Sequence, residues 1–259
     1  MSSPIYVVRI VALGRGAGKT LVGEALVRCL MARGFSVGVV KHASHGIALE
    51  EKDSKRYLEA GAEIVLVSTK GLSLLYRRGW IDDLDKAIMA VGRPIVVVEG
   101  FKEGKVGDVV AVVRSLDEIE RLAMYENLVA VVGPREVFEK IDASSYKAGT
   151  KFLNIEDVDE LCRVIIERAL ERTVSCLTAG MNCGMCGYST CRALAEAYLR
   201  GLDVFCPRTI DVTLRVDGRV VILNPFVKRL LTSLLSGTIR SLKGVPEKWR
   251  ELSLEIRLQ

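Results

Sequence analysis

The 259-residue chain has little of several things, and each shortage excludes something. Histidine occurs twice, at His42 and His45, so a metal centre built from imidazoles alone lacks ligands. Glutamine occurs once, at Gln259, amid plentiful charges; that composition hints at a hot habitat. No apolar run reaches the roughly 18 residues that a membrane helix needs, so no membrane span is expected. The first residues show no basic stretch, apolar segment and small-residue cleavage site in series. No secretory leader is therefore expected, and the chain is read as cytoplasmic. Basic residues outnumber acidic ones by only 37 to 32, and their runs stop at pairs such as Arg77-Arg78. That balance fits solvated charged faces and no nucleic-acid partner. No internal repeat, low-complexity tract or Asn-Lys-x-Asp guanine-reading motif is present.

What the chain does have begins with a core: 49% of residues are hydrophobic. An apolar, β-branched run over 5–13 reads as a buried strand. Gly14-Arg15-Gly16-Ala17-Gly18-Lys19-Thr20 follows, and then Leu21, Val22, Ala25, Leu26, Cys29 and Leu30 recur at helical spacing up to Gly34. A glycine-rich turn between a strand and a helix N-terminus is the physical recipe for cradling phosphates. Backbone N–H groups turn inward, and the helix terminus adds partial positive charge. Lys19 would reach the β and γ phosphates and the Thr20 hydroxyl would sit on Mg²⁺, with Gly14 to Leu21 lining the nucleotide. Leu13 stands where the full pattern wants its first glycine, so the loop's first turn is expected to differ. The bland alternative is a surface lysine on a glycine-rich turn. A dinucleotide fingerprint fits less well, because the glycines lack G-x-G-x-x-G spacing.

Downstream, residues 36–41 read as a second strand, with His42 and His45 on the loop that leaves it. The histidines suit hydrogen bonding near the phosphates or, less simply, metal ligation. A charged helix runs over 51–60 to Gly61, then strands over 63–68 and 71–76, and a helix over 82–91. Ile95-Val-Val-Val-Glu99 is an apolar strand ending in an acid. At the carboxyl end of a parallel sheet such an acid can hold Mg²⁺, directly or through water; its rival role is pairing with Lys102. Apolar segments at 109–113 and 128–132 and a helix over 156–171 complete an alternating pattern. That pattern implies a mostly parallel sheet with helices on both faces, and places Cys29 and Cys162 in its core.

The glycine loop, Val40-Lys41-His42, Lys52-Asp53-Ser54-x-Arg56 with Ala60-Gly-Ala62, Val98-Glu99-Gly100-Phe101-Lys102 and Phe152-Leu-Asn-Ile-Glu-Asp157 together resemble the MobB family. The resemblance covers residues 5–171. It implies a P-loop NTPase-like fold, a homodimer, and GTP with Mg²⁺ as the bound species. It also implies that Asp53 and Glu99 lie near the nucleotide. The family's usual Asp before the Val-Glu-Gly-Phe strand is missing.

After Arg172 the composition changes. Cys183, Cys186, Cys191 and Cys206 form a C-x2-C-x4-C-x14-C array. Four thiolates in 24 residues are enough for one [4Fe–4S] cluster, and Gly184 and Gly187 let the chain wrap it closely. A structural Zn²⁺ on the same cysteines is the competing reading, and Cys176 is a spare ligand. The string Asn182-Cys-Gly-x-Cys-Gly-Tyr188 with Thr190-Cys191 and a later Cys-Pro resembles the iron–sulfur modules of corrinoid iron–sulfur proteins and RnfB. Beyond it, Asp217-Gly218 between alternating runs predicts a hairpin, Asn224-Pro225 starts a helix, and 252–258 alternate as a last strand. The helix stripe Phe226, Val227, Leu230, Leu231, Leu234 and Leu235 is expected to pack on that small sheet, or else to form a dimer face.

The expectation is an α/β protein in three parts. Residues 1–172 form the nucleotide-binding domain, 173–207 the four-cysteine module, and 208–259 a β-hairpin–helix–strand unit, the last two making a small C-terminal α+β iron–sulfur domain. The expected function is a GTP-binding accessory in molybdenum or tungsten guanine dinucleotide cofactor synthesis. Its partner would be a molybdopterin guanylyltransferase or a molybdo- or tungstoenzyme maturation protein. Any GTPase activity is expected to be slow, with Lys19 on the phosphates, Glu99 or Asp53 orienting water, and Arg15 as the one candidate arginine finger. The alternative is nucleotide-gated electron transfer or metallocluster handling.

Overall fold

The structure, a computed structural model, describes residues 4–14, 16–43, 52–80, 82–101, 103–139, 141, 146–147, 149–209, 212, 214–245 and 252–254. Its centre is a six-stranded sheet in the order β2-β5-β1-β6-β7-β8. The strands are β1 (Tyr6–Val11), β2 (Val37–Lys41), β5 (Ile95–Glu99), β6 (Asp108–Val112), β7 (Leu128–Gly133) and β8 (Lys151–Asn154). Every neighbouring pair is parallel. Parallel strands need crossover helices, and these cover both faces. On one face α1 (Lys19–Ala32) and α6 (Val158–Leu177) bury Val22, Leu26, Leu30, Leu161, Ile165 and Ala169 against Val8 and Ile10. On the other, Leu84 and Ile88 of α3 (Leu84–Val91) and Ile119 and Leu122 of α4 (Leu116–Leu122) pack on the sheet.

Between β2 and α3 the chain makes α2 (Lys52–Glu59) and then β3 (Ile64–Thr69) and β4 (Leu72–Arg77), which pair with each other and, among the described residues, with no other strand. This antiparallel hairpin lies outside the main sheet, and Ile64, Leu66, Leu72, Leu74 and Leu75 are exposed on it. A short α5 (Arg135–Phe138) follows β7.

The helix expected over 156–171 is longer than its pattern and runs through the residue-172 boundary to Leu177. The next helix, α7 (Cys191–Leu199), buries Ala195 and Leu199 in the same cluster as α1 and α6. Its end is pinned to the turn before β2: Ser36 N–H donates to Leu199 O at 2.9 Å and Arg200 Nη1 to Arg33 O at 3.0 Å. The Arg200 guanidinium also lies 5.3 Å above the Phe35 ring.

Farther on, β9 (Leu214–Val216) and β10 (Arg219–Val221) form the expected hairpin, with Asp217 and Gly218 both at positive φ (49° and 77°) as a type I′ turn requires. Asn224 caps α8 (Pro225–Arg240) by accepting from Val227 N–H at 2.9 Å. The expected burial of its stripe is not seen: Phe226, Leu230 and Leu234 are exposed. Residues 252–254 form no strand, and 255–258 of the expected last strand lie outside the described residues.

Candidate functional site

Residues 14 and 16–20 follow β1, at the point where successive strands are added on opposite sides of it. Such a switch point, at the carboxyl ends of parallel strands, leaves a crevice for ligands. Gly16 and Gly18 have φ of +69° and +91°, conformations that side chains disfavour. A Cβ on Gly16 would meet nothing within 4 Å, so the loop faces open space there. Gly18 caps α1 without a side-chain hydrogen bond, and the first turn holds no acid. Among the described residues no side chain caps the first N–H groups of α1, as an anion site requires. The Lys19 ammonium folds over the loop to Gly14 O at 2.9 Å. Leu13 packs toward the core under α4, so the loop proper opens at Gly14. Arg15 lies outside the described residues.

The structure brings Thr20 and Glu99 together across 79 residues of sequence: the hydroxyl donates to Oε1 at 2.9 Å and lies 3.1 Å from Oε2. Lys41 Nζ stands 3.7 Å from the same carboxylate. A hydroxyl and a carboxylate meeting beside the glycine loop are a donor set that Mg²⁺ takes, so the residues fit that ion. Lys102, the rival partner for Glu99, lies outside the described residues. Asp53 is not brought to this group. Its ion-pair partner is Arg56 at 3.8 Å, and α2 packs against β3. His42 follows Lys41 and hydrogen-bonds Asp82 at 2.7 Å; His45 lies outside the described residues.

Two residues at the site escaped the sequence reading. Arg114 lies so near Gly14 that a Cβ there would be 2.9 Å from its Nη2. Glu118 holds it, with Oε1 accepting from Nη2 at 3.1 Å and Oε2 from the Arg114 backbone at 2.7 Å. The available signal was an arginine at the carboxyl end of an apolar strand, the ligand edge of such a sheet. Asp82 gave no signal, because only the fold sets it beside His42.

The cysteine array sits elsewhere. Arg168 of α6 reaches Asp108, at the amino end of β6, with Nε 3.0 Å from Oδ2, where the Tyr6 hydroxyl also donates at 2.8 Å. Burial, and then Asp108, push the Tyr6 hydroxyl well above its ordinary pKa. From there α6 continues nine residues, about 13 Å at 1.5 Å each, beyond the sheet. The cysteine loop starts past that point, so the sheet separates it from the phosphate loop.

Within it, the Asn182 side chain accepts from Cys191 N–H at 2.7 Å, while Asn182 N–H points to Cys191 Sγ at 3.3 Å. Burial raises the Cys191 thiol; hydrogen bonds from the Thr178 hydroxyl and the N–H groups of Asn182, Gly180 and Met181 outweigh it, and the net shift is downward. The Met185 N–H and then the Arg208 side chain draw the Cys183 thiol down too. Arg208 is two residues past Cys206, so the Cys206 turn meets the Cys183 loop. Cys206 itself is buried, and Cys176 is exposed near the end of α6. N–H hydrogen bonds to sulfur favour the thiolate, the form that ligates iron, and tune a bound cluster. Among the described residues, no three Cys, His, Asp or Glu side chains are grouped at the spacing of a single metal ion. Cys162 is a core thiol, as expected: burial, and then Cys29, push it up to about 12.

Known proteins share both regions. Residues 179–203 match the family described as "Putative Fe-S cluster". Residues 7–134 match "Molybdopterin guanine dinucleotide synthesis protein B", or MobB. A Methanocaldococcus jannaschii protein named "Putative molybdopterin-guanine dinucleotide biosynthesis adapter protein" is 25% identical over 240 residues, 89% of each chain. A Bacillus subtilis protein named "Probable molybdopterin-guanine dinucleotide biosynthesis adapter protein" is 30% identical over 137 residues, 50% of this chain and 76% of its own. The crystal structure of Bacillus subtilis MobB superposes with a TM-score of 0.49 at 22% identity, covering 62% of this chain and 98% of its own. The family match over β1 to β7 and the Bacillus subtilis relative together establish that this chain belongs to the MobB family.

Proposed function

We propose that the chain binds GTP·Mg²⁺ on its glycine loop and acts as an adapter in molybdenum or tungsten guanine dinucleotide cofactor synthesis. One observation carries the nucleotide half: Thr20 and Glu99 meet beside a loop whose Gly16 faces open space and whose helix start is uncapped. Loop N–H groups and Lys19 would hold the phosphates, Arg114 would border them, and Thr20 with Glu99 would hold Mg²⁺, which supplies charge neutralisation. Asp53 has a part in this reading only if α2 closes on the bound nucleotide. Hydrolysis, where it occurs, would be slow. The choice of guanine and a homodimer come from the family resemblance.

In the same reading, Cys183, Cys186, Cys191 and Cys206 hold a [4Fe–4S] cluster. The match over 179–203 and the N–H donors on Cys183 and Cys191 support it. The partner would be a molybdopterin guanylyltransferase or a maturation protein for such enzymes.

Calorimetry with GTP and Mg²⁺ tests the first half. Lys19→Ala is expected to abolish binding, and unchanged GTP affinity in that variant would sink it. Anaerobic purification with iron and sulfide assays tests the second, with about four of each expected per chain.

A further inference from the structure

We propose that one face of α8 and one face of the β9–β10 hairpin dock the chain on an anionic lipid surface. Neither a nucleotide nor a cluster is needed for this, and no residue of the glycine loop takes part.

Charge comes first. Residues 208–259 hold ten Lys and Arg against five Asp and Glu, so this last fifth of the chain carries the whole net charge of +5. The residues before it are balanced. Helix α8 itself has Lys228, Arg229 and Arg240 and no acid.

Exposed apolar surface comes second. Phe226, Leu230 and Leu234 follow one another at helical i, i+4 spacing and share one face of α8. Phe226 is 71% exposed, and Leu230 and Leu234 are exposed with it. Leu231 and Leu235, on the neighbouring side, are half-buried. The helix is therefore apolar toward the protein and again toward the outside, and an outward apolar face marks a contact with something beyond the chain. Ile222, on the link between β10 and α8, is 96% exposed. In the hairpin Arg219 pairs with Val216, and Val221 with Leu214, so these four side chains share a face. Leu214, Val216 and Val221 are exposed on it.

The placing of the charges comes third. Arg229 and Arg240 lie about three turns apart and edge the apolar face of α8 on the same side. Arg229 Nη1 donates to Met185 O at 3.1 Å and Arg240 Nη1 to Asp203 Oδ2 at 2.6 Å, which ties that edge of the helix to the cysteine loop. Arg219 sits within the apolar face of the hairpin. Phe and Leu beside arginines are what a helix lying in a membrane interface presents, the apolar groups among acyl chains and the cations at lipid phosphates. The sign of the charge chooses among occupants. A second copy would set +5 against +5. An acidic protein would need a pocket for each protruding side chain, whereas a fluid anionic bilayer closes around them.

The test is co-sedimentation of the full chain, purified without air, with vesicles of phosphatidylcholine alone or with about 30% phosphatidylglycerol added. The wild type is expected to bind the anionic vesicles at least about tenfold more tightly, and to lose most of that margin when salt rises from about 0.1 to about 1 M. Leu230→Ser combined with Leu234→Ser should weaken binding to the anionic vesicles about tenfold or more. Arg219→Gln should weaken it about fivefold and leave the neutral vesicles unaffected. All three residues are exposed, so melting temperatures should match the wild type, and the salt comparison needs no variant. A wild type that binds neither vesicle leaves an acidic protein as the occupant and overturns the proposal. So does a double variant that binds as tightly as the wild type. A concentration-dependent dimer that the double variant abolishes would give the face to a second copy and overturn it too.

Discussion

Strands β5 and β3 are written in nearly the same alphabet: Ile-Val-Val-Val-Glu against Ile-Val-Leu-Val-Ser-Thr. In β5 the four apolar residues are at most 2% exposed; in β3, Ile64 is 53% and Leu66 62% exposed. Side-chain character is therefore not what buries a strand. β5 lies between β2 and β1 in a parallel sheet whose crossover helices cover both faces. β3 turns straight back into β4 through Gly71, and a two-residue turn carries no helix to lay over it. The lesson extends to the site. Gly100 and Gly71 both have positive φ, but only Gly100 stands against another backbone.

That contrast can be broken by mutation. The largest effect belongs to the covered region. Leu26→Ala on α1, fully buried, should lower the unfolding free energy by about 2–5 kcal/mol. Leu74→Ala on the hairpin should change it by only about 0.5 kcal/mol. Comparable losses in urea titrations would show that the hairpin is covered in solution.

The next effect is a pH dependence confined to the same core. The Cys162 thiol is pushed from its ordinary 9.0 up to about 12, chiefly by burial and then by Cys29. Below about pH 9 both the folded and unfolded chains keep that proton, and its contribution is intact. Above it, only the unfolded chain releases the proton, so stability should fall by about 1.4 kcal/mol per pH unit until about pH 12. Denaturation midpoints from pH 8 to 11 should fall more steeply in the wild type than in Cys162→Ala. Parallel slopes would remove Cys162 from the account.

The smallest difference separates the two glycines. Gly71→Ala pays only for left-handed backbone, about 1 kcal/mol. Gly100→Ala adds a contact 2.7 Å from His42 Cβ and should cost about 1–3 kcal/mol and shift the His42 ring resonances. Equal costs in the two variants would mean that the close approach at Gly100 is relaxed in solution.

Much of the fold was legible because its causes are local. A β-branched run, glycines needing positive φ and a helical apolar stripe predicted β1, the loop and α1 within a residue or two. Gly61, Asp217-Gly218 and Asn224-Pro225 likewise ended or began elements where expected. The failures have non-local causes. The stripe of α8 carries a helical pattern, but the covering strand expected at 252–258 does not form over 252–254, and Phe226 and Leu234 stay exposed. The boundary at 172 followed a change in composition, whereas α6 runs through it because Leu170 and Thr173 are still buried.

At the site, Lys19, Thr20 and Glu99 were singled out because glycine spacing and a strand-ending acid suit phosphate and metal chemistry, and the fold brings Thr20 and Glu99 together. Arg114 and Asp82 were not, since each lies far along the chain from the group it meets. By itself the sequence determined the order of strands and helices, the glycine-rich turn and the thiol spacing, all set by interactions within a few residues. The tertiary structure alone decided which apolar strands are covered and which carboxylate meets Thr20. It also decided that α7 pins the cysteine loop at the amino edge of the sheet. Burial and pairing between distant segments depend on how crossover helices pack, and no short stretch of residues encodes that.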